Sequence, residues 1–280
     1  PFTLYETTPF SNIMTFLATG FRQVDHSEDQ EKLVRCLSDI RNHPFFRSVK
    51  EESFELLQIS SGDIILEIGC GPLDDVHILA GRCSPEGLVI GSDISSSLVT
   101  LAKKAFNIPN LSYIRMDGQY SAVRDGVCDA VREDRVLQHV QDPRHVIDEM
   151  YRVLKPGGRC VLFEPDWENF IIDGVDEGVT RAILNFWSDQ FACGHIGRKL
   201  SRLCQNAGFT DVTVYPRTMI MTTLKEAETI FTVTENANRA AVAGCVSQKE
   251  ADAFLAHLTE MDRKGLFFGS FTGYLVSGKK

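Results

Sequence analysis

An apolar strand that runs straight into a Gly-x-Gly turn limits this chain more than any other stretch. It reads Ile64-Ile-Leu-Glu-Ile-Gly69-Cys-Gly71-Pro-Leu-Asp74-Asp75. Glycine at 69 and 71 lets the backbone turn tightly and approach a ligand with no Cβ in between. Asp74 or Asp75 can cap the helix that follows, whose free N–H groups favour a carboxylate or phosphate. A tight turn with no ligand is the competing reading. The NAD fingerprint requires a third glycine where Asp74 stands, which speaks against a pyrophosphate packed on the helix start.

The turn opens a regular alternation. Strand candidates at Ile64–Ile68, Leu88–Ser92, Leu111–Met116, Ala130–Arg132 and Cys160–Glu164 are separated by helix candidates. These start at about Asp74 and cover Ser96–Ala105 and Pro143–Leu154. Asp142 with Pro143 is a start signal for the last of them, and Pro156-Gly157-Gly158 a stop. This pace predicts βαβ units, a mostly parallel sheet and a doubly wound α/β core. Upstream, Leu33, Leu37 and Ile40, then Val49, Phe54 and Leu57, predict two helices broken at His43-Pro44, after a mixed stretch with an apolar group at Ile13 to Phe21. Downstream, helical spacing joins Val179, Ile183, Phe186, Trp187 and Phe191, and then Leu200 and Leu203. A strand at Asp211–Tyr215 follows, then a less regular helical region at Lys225–Val242. A clear amphipathic helix through Ala251, Phe254, Leu258 and Met261 stops at Gly265, and Leu266–Ser277 reads as the last strand. The expected organisation is an N-terminal helical lid over 1–58 and a core over 59–280. The core carries a cap insertion at about 167–205 and a helical segment at about 223–264.

With 280 residues, 43% of them apolar, the chain can bury a large core and is not a disordered tail. A net charge of −9 with no basic stripe lacks the footprint of a nucleic-acid binder, so a small molecule is the expected partner. Eight scattered cysteines without a C-x-x-C pair read as free thiols in a reducing, cytoplasmic setting. No apolar run approaches the roughly 18 residues of a membrane span. The chain starts at Pro1 rather than Met, which leaves a trimmed leader open, and a homo-oligomer is left open as well. No H-E-x-x-H or other tight ligand set argues for a metal.

Carboxylates stand at the ends of the next strands. Asp93, in Gly91-Ser-Asp93-Ile94-Ser, offers two acceptor oxygens that match a ribose diol, or serves as an N-cap. In Asp117-Gly118-Gln119 the carboxylate can accept an adenine amino hydrogen while Gly118 lets the base lie on the backbone; a plain Asx turn is the other reading.

Taken in order, Leu66-Glu-Ile-Gly-Cys-Gly, Ile90-Gly-Ser-Asp-Ile-Ser, Asp117-Gly118, Val136-Leu-Gln-His139-Val and Arg152-Val-Leu-Lys-Pro-Gly-Gly resemble the class I S-adenosylmethionine-dependent methyltransferases. The likeness is nearest to the small-molecule group that includes the quinone-biosynthesis enzymes, and its motifs cover roughly residues 60–165. Gly194-His-Ile-Gly197-Arg198 and Ala207-Gly-Phe209 look like a later segment of related bacterial enzymes. The resemblance implies a Rossmann-like, seven-stranded sheet with the last strand, Leu266–Ser277, antiparallel. It implies that Gly69 and Gly71 face the methionine part of the cofactor and that Asp93 binds the ribose, with Ile94 against the adenine. Asp117 and Gly118 would hold the adenine edge, and the backbone near Glu133 would reach the methionine amino group. One departure stands out: Leu73 replaces a glycine frequent in the family, and would either crowd the cofactor carboxylate or pack under the loop.

Methyl transfer from a sulfonium is an in-line displacement, so alignment and exclusion of water carry much of the work, and a hydroxyl acceptor additionally needs a base. His139 is the natural base candidate, with a structural role at the strand end as the alternative. Glu164 and Asp166 close the fifth strand and are the other candidates, unless they form a solvated turn. His195 and Arg198 can reach down from the cap, or Arg198 can form a structural ion pair. Trp167, Phe170, Phe186, Trp187 and Phe191 form an aromatic group that is either core or pocket; as a pocket it selects an apolar or aromatic substrate, such as a secondary metabolite or a quinone-like ring. Three other functions compete with methyl transfer to C, N or O. One is a cyclase or isomerase that keeps the cofactor as a scaffold, another an NAD-linked oxidoreductase, and the third a non-catalytic binding protein.

Overall fold

Short apolar runs that must be covered on both faces build the centre of the molecule. In the computed structural model, residues 17–21, 24–27 and 29–280 are described; Ile13–Phe16, part of the apolar group noted above, lie outside them. The elements run α1 (Leu17–Gly20), a single turn at Val24–His26, α2 (Gln30–Asn42), α3 (Pro44–Leu56), β1 (Ile64–Ile68), α4 (Asp75–Cys83), β2 (Leu88–Asp93), α5 (Ser96–Ala105), β3 (Leu111–Arg115) and β4 (Cys128–Asp134). After a turn at Leu137–His139 come α6 (Pro143–Val153), β5 (Leu154–Pro165), β6 (Ile171–Ile172), α7 (Glu177–Asp189) and α8 (Leu200–Ala207). The chain closes with β7 (Thr210–Met221), α9 (Leu224–Phe231), α10 (Val233–Val242), α11 (Gln248–Arg263) and β8 (Gly269–Lys279).

The strands lie in the order β3-β2-β1-β4-β5-β8, with β7 and the short β6 both pairing with β8. β1 to β5 are mutually parallel, and β8 runs antiparallel to β5, β6 and β7. This is the expected doubly wound α/β sheet with an antiparallel last strand. It has eight strands rather than seven because Ile171 and Ile172 pair with Ser270 and Gly269, beyond the point where β5 ends at Pro165. Several boundaries also moved: β7 runs on to Met221 beyond the expected Tyr215, and β4 spans Cys128–Asp134. β5 begins at Leu154, which pairs with Cys128 of β4, and Lys155-Pro-Gly-Gly bulges out before the ladder resumes with Arg159 opposite Ala130. The region at 225–242 is two helices, separated by Thr232 in a left-handed conformation (φ +46°). The last strand starts at Gly269 rather than Leu266.

Local chemistry explains the sharpest boundaries. His43 takes an extended conformation before Pro44, which ends α2, and its ring accepts from the Phe45 N–H at the start of α3. Ser95 caps α5 by accepting from Leu98 N–H, and Ser247 with Glu250 forms a reciprocal capping box on α11. Asp74 does not cap α4, because its carboxylate is held by Arg41 of α2 instead. The eight thiols are free, and Cys70, Cys83, Cys128, Cys160 and Cys204 are buried in the core. No helix among the described residues is long and apolar enough to cross a membrane.

One group of ions ties the N-terminal helices to the sheet. Arg132 of β4 is fully buried; its guanidinium binds Glu67 of β1, Asp75 of α4 (3.3 Å), Asp134 (3.0 Å) and the Ser53 hydroxyl of α3 (2.7 Å), and packs 4.7 Å above the Phe54 ring. Lys50 of α3 adds bonds to Asp75 and to Asp134 (2.9 Å). Burial works against the charge of Asp134, but Arg135, Lys50 and Arg132 together hold it well below the usual carboxylate range. Removing the central cation leaves several buried carboxylates unmatched, which costs about 3–5 kcal/mol. Arg132→Met is therefore expected to lose that much stability in urea unfolding. A variant within 1 kcal/mol of the wild type would mean that the cluster does not hold α3 on the sheet.

Candidate functional site

The Gly-x-Gly turn forms the floor of a cavity of about 420 Å³ at the C-terminal edge of the parallel strands. Gly69 (φ +67°) and Gly71 (φ +54°) are both left-handed, and a Cβ on Gly69 would drive into Val136. At Gly71 the nearest atom to such a Cβ is Leu37 Cδ1 of α2 at 3.9 Å, so this side of the turn is open towards the cavity. Asp93 and Ile94 after β2, and Asp117 and Gly118 after β3, continue the wall. The Asp93 carboxylate accepts from Gly71 N–H (3.0 Å) and Ser95 N–H (2.9 Å), locking the turn to the start of α5. Burial pushes its pKa up, against the pull of those two N–H groups. Each oxygen keeps a second lone pair. Asp117 accepts from Gln119 N–H (2.9 Å), so its Asx turn and its place on the cavity wall coexist.

The opposite wall is aromatic. Trp167 stacks on Phe191 (5.0 Å, 18°) and Phe271 (5.3 Å, 26°), and meets Trp187 edge-on (5.4 Å, 83°). Its indole N–H donates to Gln138 Oε1 (2.8 Å), which fixes the ring. Phe231 of α9 and Phe271 of β8 complete this wall, and His139 sits between Phe21 (5.6 Å) and Phe191 (5.7 Å). From the N-terminal segment, Phe21, Val24, Leu37, Ile40 and Phe46 close the cavity. The Val24–His26 turn is held in place by Asp25, which accepts from Ser96 N–H (2.9 Å), Ser97 N–H (3.1 Å) and the hydroxyls of Ser95, Ser96 and Ser97.

Under the loop that follows β4 lies a pair of buried carboxyls. Glu133 accepts from Val136 N–H (3.2 Å), and Glu164 from the N–H groups of Leu137 and Gln138. Burial and mutual repulsion push Glu164 well above its ordinary value, and burial pushes Glu133 up to about 8. Burial and proximity disfavour ionisation of both carboxyls together, and both accept from the N–H groups of the loop.

The expected site residues thus separate. Gly69, Gly71, Asp93, Ile94, Asp117 and Gly118 share one wall of the cavity; His139, Trp167, Trp187 and Phe191 share the other. Six residues fall elsewhere. Glu133 and Glu164 are beneath the loop and do not line the cavity. Asp166 is fully buried, gripped on both oxygens by Arg198, which also binds Glu168 (2.6 Å), so this pair takes the structural ion-pair reading. His195 lies 3.4 Å from Glu168, outside the cavity. Phe170 packs on Phe231 (4.5 Å) and faces a separate hollow bounded by α7. Leu73 is half-buried and is not among the residues that line the cavity. Among the described residues no group of three or more His, Cys, Asp or Glu is arranged to hold a metal.

Sequence reasoning missed Arg135, Gln138, Phe46, Phe231 and Phe271. The last three are ordinary apolar positions of a helix or strand, and only tertiary packing brings them together. Arg135 left one trace: it sits where β4 must break into a loop, and its backbone is left-handed (φ +60°).

Comparison with known proteins places this geometry. Residues 66–162 match a family model described as a methyltransferase domain. An uncharacterized 37.1 kDa protein from transposon TN4556 of Streptomyces fradiae is 38% identical over 232 residues, covering 82% of this chain and 66% of that one. Demethylmenaquinone methyltransferase of Bacillus cereus (strain B4264) is 26% identical over 139 residues, covering 49% of this chain and 57% of that enzyme. Among solved structures, phosphoethanolamine N-methyltransferase 2 of Haemonchus contortus, in complex with S-adenosyl-L-methionine, is similar in fold, with a TM-score of 0.61 at 16% identity. That likeness covers 93% of this chain and 60% of that one. The chain therefore spans less than two thirds of the length of each of these relatives.

The carboxyl pair makes a prediction about pH. Glu133 binds its proton more tightly in the folded than in the unfolded chain, whose carboxyl titrates near 4.5, so its contribution to stability is complete below that value. It is lost as pH rises towards about 8. Urea unfolding midpoints of wild type are expected to fall across this window more steeply than those of Glu133→Gln. Parallel curves for the two proteins would contradict the raised pKa of Glu133.

Proposed function

We propose that this chain, a class I S-adenosylmethionine-dependent methyltransferase by domain and fold and similar to the quinone-type enzymes, methylates a C, N or O atom of a small, largely apolar or aromatic metabolite. One observation carries this reading: a single cavity joins the glycine turn and strand-end carboxylates to a wall of stacked aromatic rings. Its volume lies within the range of small-molecule sites.

The residues of the first wall fit the cofactor. The open side of Gly71 leaves room for the methionine chain, and the spare lone pairs of Asp93 suit the ribose hydroxyls. Ile94 offers an apolar surface to the adenine, with Asp117 and Gly118 at its edge. The backbone of Asp134 to Val136, rather than the Glu133 side chain, reaches the methionine end. When bound, S-adenosylmethionine supplies an electrophilic methyl group on a sulfonium.

The second wall holds the acceptor. Stacked rings at Trp167, Phe191 and Phe271 position a flat or apolar substrate and exclude water from it. The N-terminal helices act as the lid, with Phe21 and Val24 closing over the cavity and Asp25 latching the turn that carries Val24 onto α5. His139 is the side chain placed to take a proton where the acceptor is a hydroxyl. Glu164 and Asp166 are too deeply engaged for that role.

S-adenosylmethionine labelled in its methyl group, incubated with the protein and a panel of hydroxylated quinones and aromatic metabolites, is expected to yield labelled product. For an O-methylated acceptor, His139→Ala should lower the rate by about 10²-fold or more. Turnover without label in the product would favour a scaffold role for the cofactor, and a near-native rate in the variant would leave His139 structural.

A further inference from the structure

Among the described residues, the cavity wall includes an arginine whose hydrogen-bonding capacity the protein uses only in part. This is Arg135, at the point where β4 breaks between the two walls. Its Nε donates to Asp134 Oδ1 (2.7 Å) and its backbone N–H to Phe163 O (2.8 Å), while its Nη atoms donate to no protein atom among the described residues. The guanidinium packs 5.1 Å from the Phe46 ring, and Phe46 belongs to the aromatic wall, 6.3 Å from Phe271. A guanidinium held against a ring in this way keeps its planar fork of N–H donors, the group that recognises a carboxylate or other oxyanion. The backbone at Arg135 is left-handed (φ +60°), a conformation that a long side chain adopts at a cost and that recurs at ligand sites.

Asp134 and Asp75 favour the charge of this cation against its burial, and Asp134 bonds only its Nε. Asp134 is shared with Lys50 (2.9 Å) and Arg132 (3.0 Å), and Asp75 with the same two cations. Burial pushes Glu67, the remaining carboxyl of the group, up to about 7, so at neutral pH it matches Arg132 only in part. Asp93 and Asp117 also line the cavity, but they belong to the nucleoside wall and are tied to Gly71, Ser95 and Gln119. A mainly apolar cavity with guanidinium Nη donors that no protein acceptor fills favours a ligand that is apolar over most of its surface and carries one acidic oxygen.

We propose that Arg135 is a specificity-determining residue that binds an acidic oxygen of the acceptor, a carboxylate, an enolate or a phenolate, against the aromatic wall. This deepens the reading of the same cavity as a methyl-acceptor site and rests on it. The acceptor is thereby an aromatic or alicyclic acid, or a ring with an acidic hydroxyl, rather than a neutral hydrocarbon or an amine.

The test uses the two tryptophans of the chain, Trp167 and Trp187, which both line the cavity and report its occupancy by quenching. 1-Naphthoate and its uncharged match 1-naphthamide are titrated into the S-adenosylhomocysteine-saturated protein. The acid is expected to bind at least about tenfold more tightly than the amide, as a charge-assisted bond predicts. Arg135→Met should abolish that preference. Arg135→Gly should abolish it too while keeping or raising the melting temperature, because glycine suits the left-handed backbone and Asp134 retains Lys50 and Arg132; a merely structural arginine would lose stability instead. Equal binding of acid and amide by the wild type, or no binding of either up to millimolar concentration, overturns the proposal. So does a preference that survives in both variants. A tenfold loss of S-adenosylhomocysteine affinity in the variants, with none for its decarboxylated analogue, would assign Arg135 to the cofactor carboxylate and overturn it as well. Calorimetric titration of S-adenosylhomocysteine into the wild type separates the two levels: no binding there removes the cofactor reading, whereas the naphthoate preference is read independently by repeating the titrations without the nucleoside.

Discussion

The fully buried guanidinium of Arg132 is the contact on which the arrangement of this molecule depends. It reaches from β4 to β1, α4 and α3 at once, through Glu67, Asp75 and Ser53. These are the strand before the glycine turn, the helix after it and the helix that closes over it. A buried ion group of this kind contributes little net stability over an apolar core, but it penalises every other register of those elements, because each misfit leaves a charge unmatched. The position of α3, and with it Phe46 on the cavity wall, follows from that constraint.

Two kinds of wall meet in the cavity, and they are built differently. The nucleoside wall comes from the loops directly after β1, β2 and β3, so its residues sit close to one another in sequence and at strand ends. The aromatic wall collects Phe46 from α3, Trp167 after β5, Trp187 and Phe191 at the end of α7, Phe231 from α9 and Phe271 from β8. The junction is the loop of residues 135–139, whose N–H groups rest on the Glu133 and Glu164 carboxyls. Arg135, Gln138 and His139 are thus placed by a support that never enters the cavity.

That difference decides what was legible in the sequence. The helix at Ser96–Ala105 and the strand at Ile64–Ile68 were readable because caps, glycines and apolar periodicity are local signals. Asp93 and Gly118 were readable for the same reason. The break at Thr232 was not, since no glycine or proline marks a left-handed residue there. Asp166 resembled a strand-end catalytic acid until Arg198, distant in sequence, was found on both of its oxygens. Phe231 and Phe271 carry no mark that distinguishes a cavity wall from a core, because both roles ask for the same side chain.

The roles proposed for both walls depend on an adenosyl cofactor held by the glycine turn and Asp93. Calorimetric titration of S-adenosylhomocysteine into the wild type and into Asp93→Ala tests it directly. Binding to the wild type, weakened at least about tenfold in the variant by the loss of hydrogen bonds to a charged acceptor, is the expected result. Absence of binding to the wild type, or equal affinity in the two proteins, would contradict it.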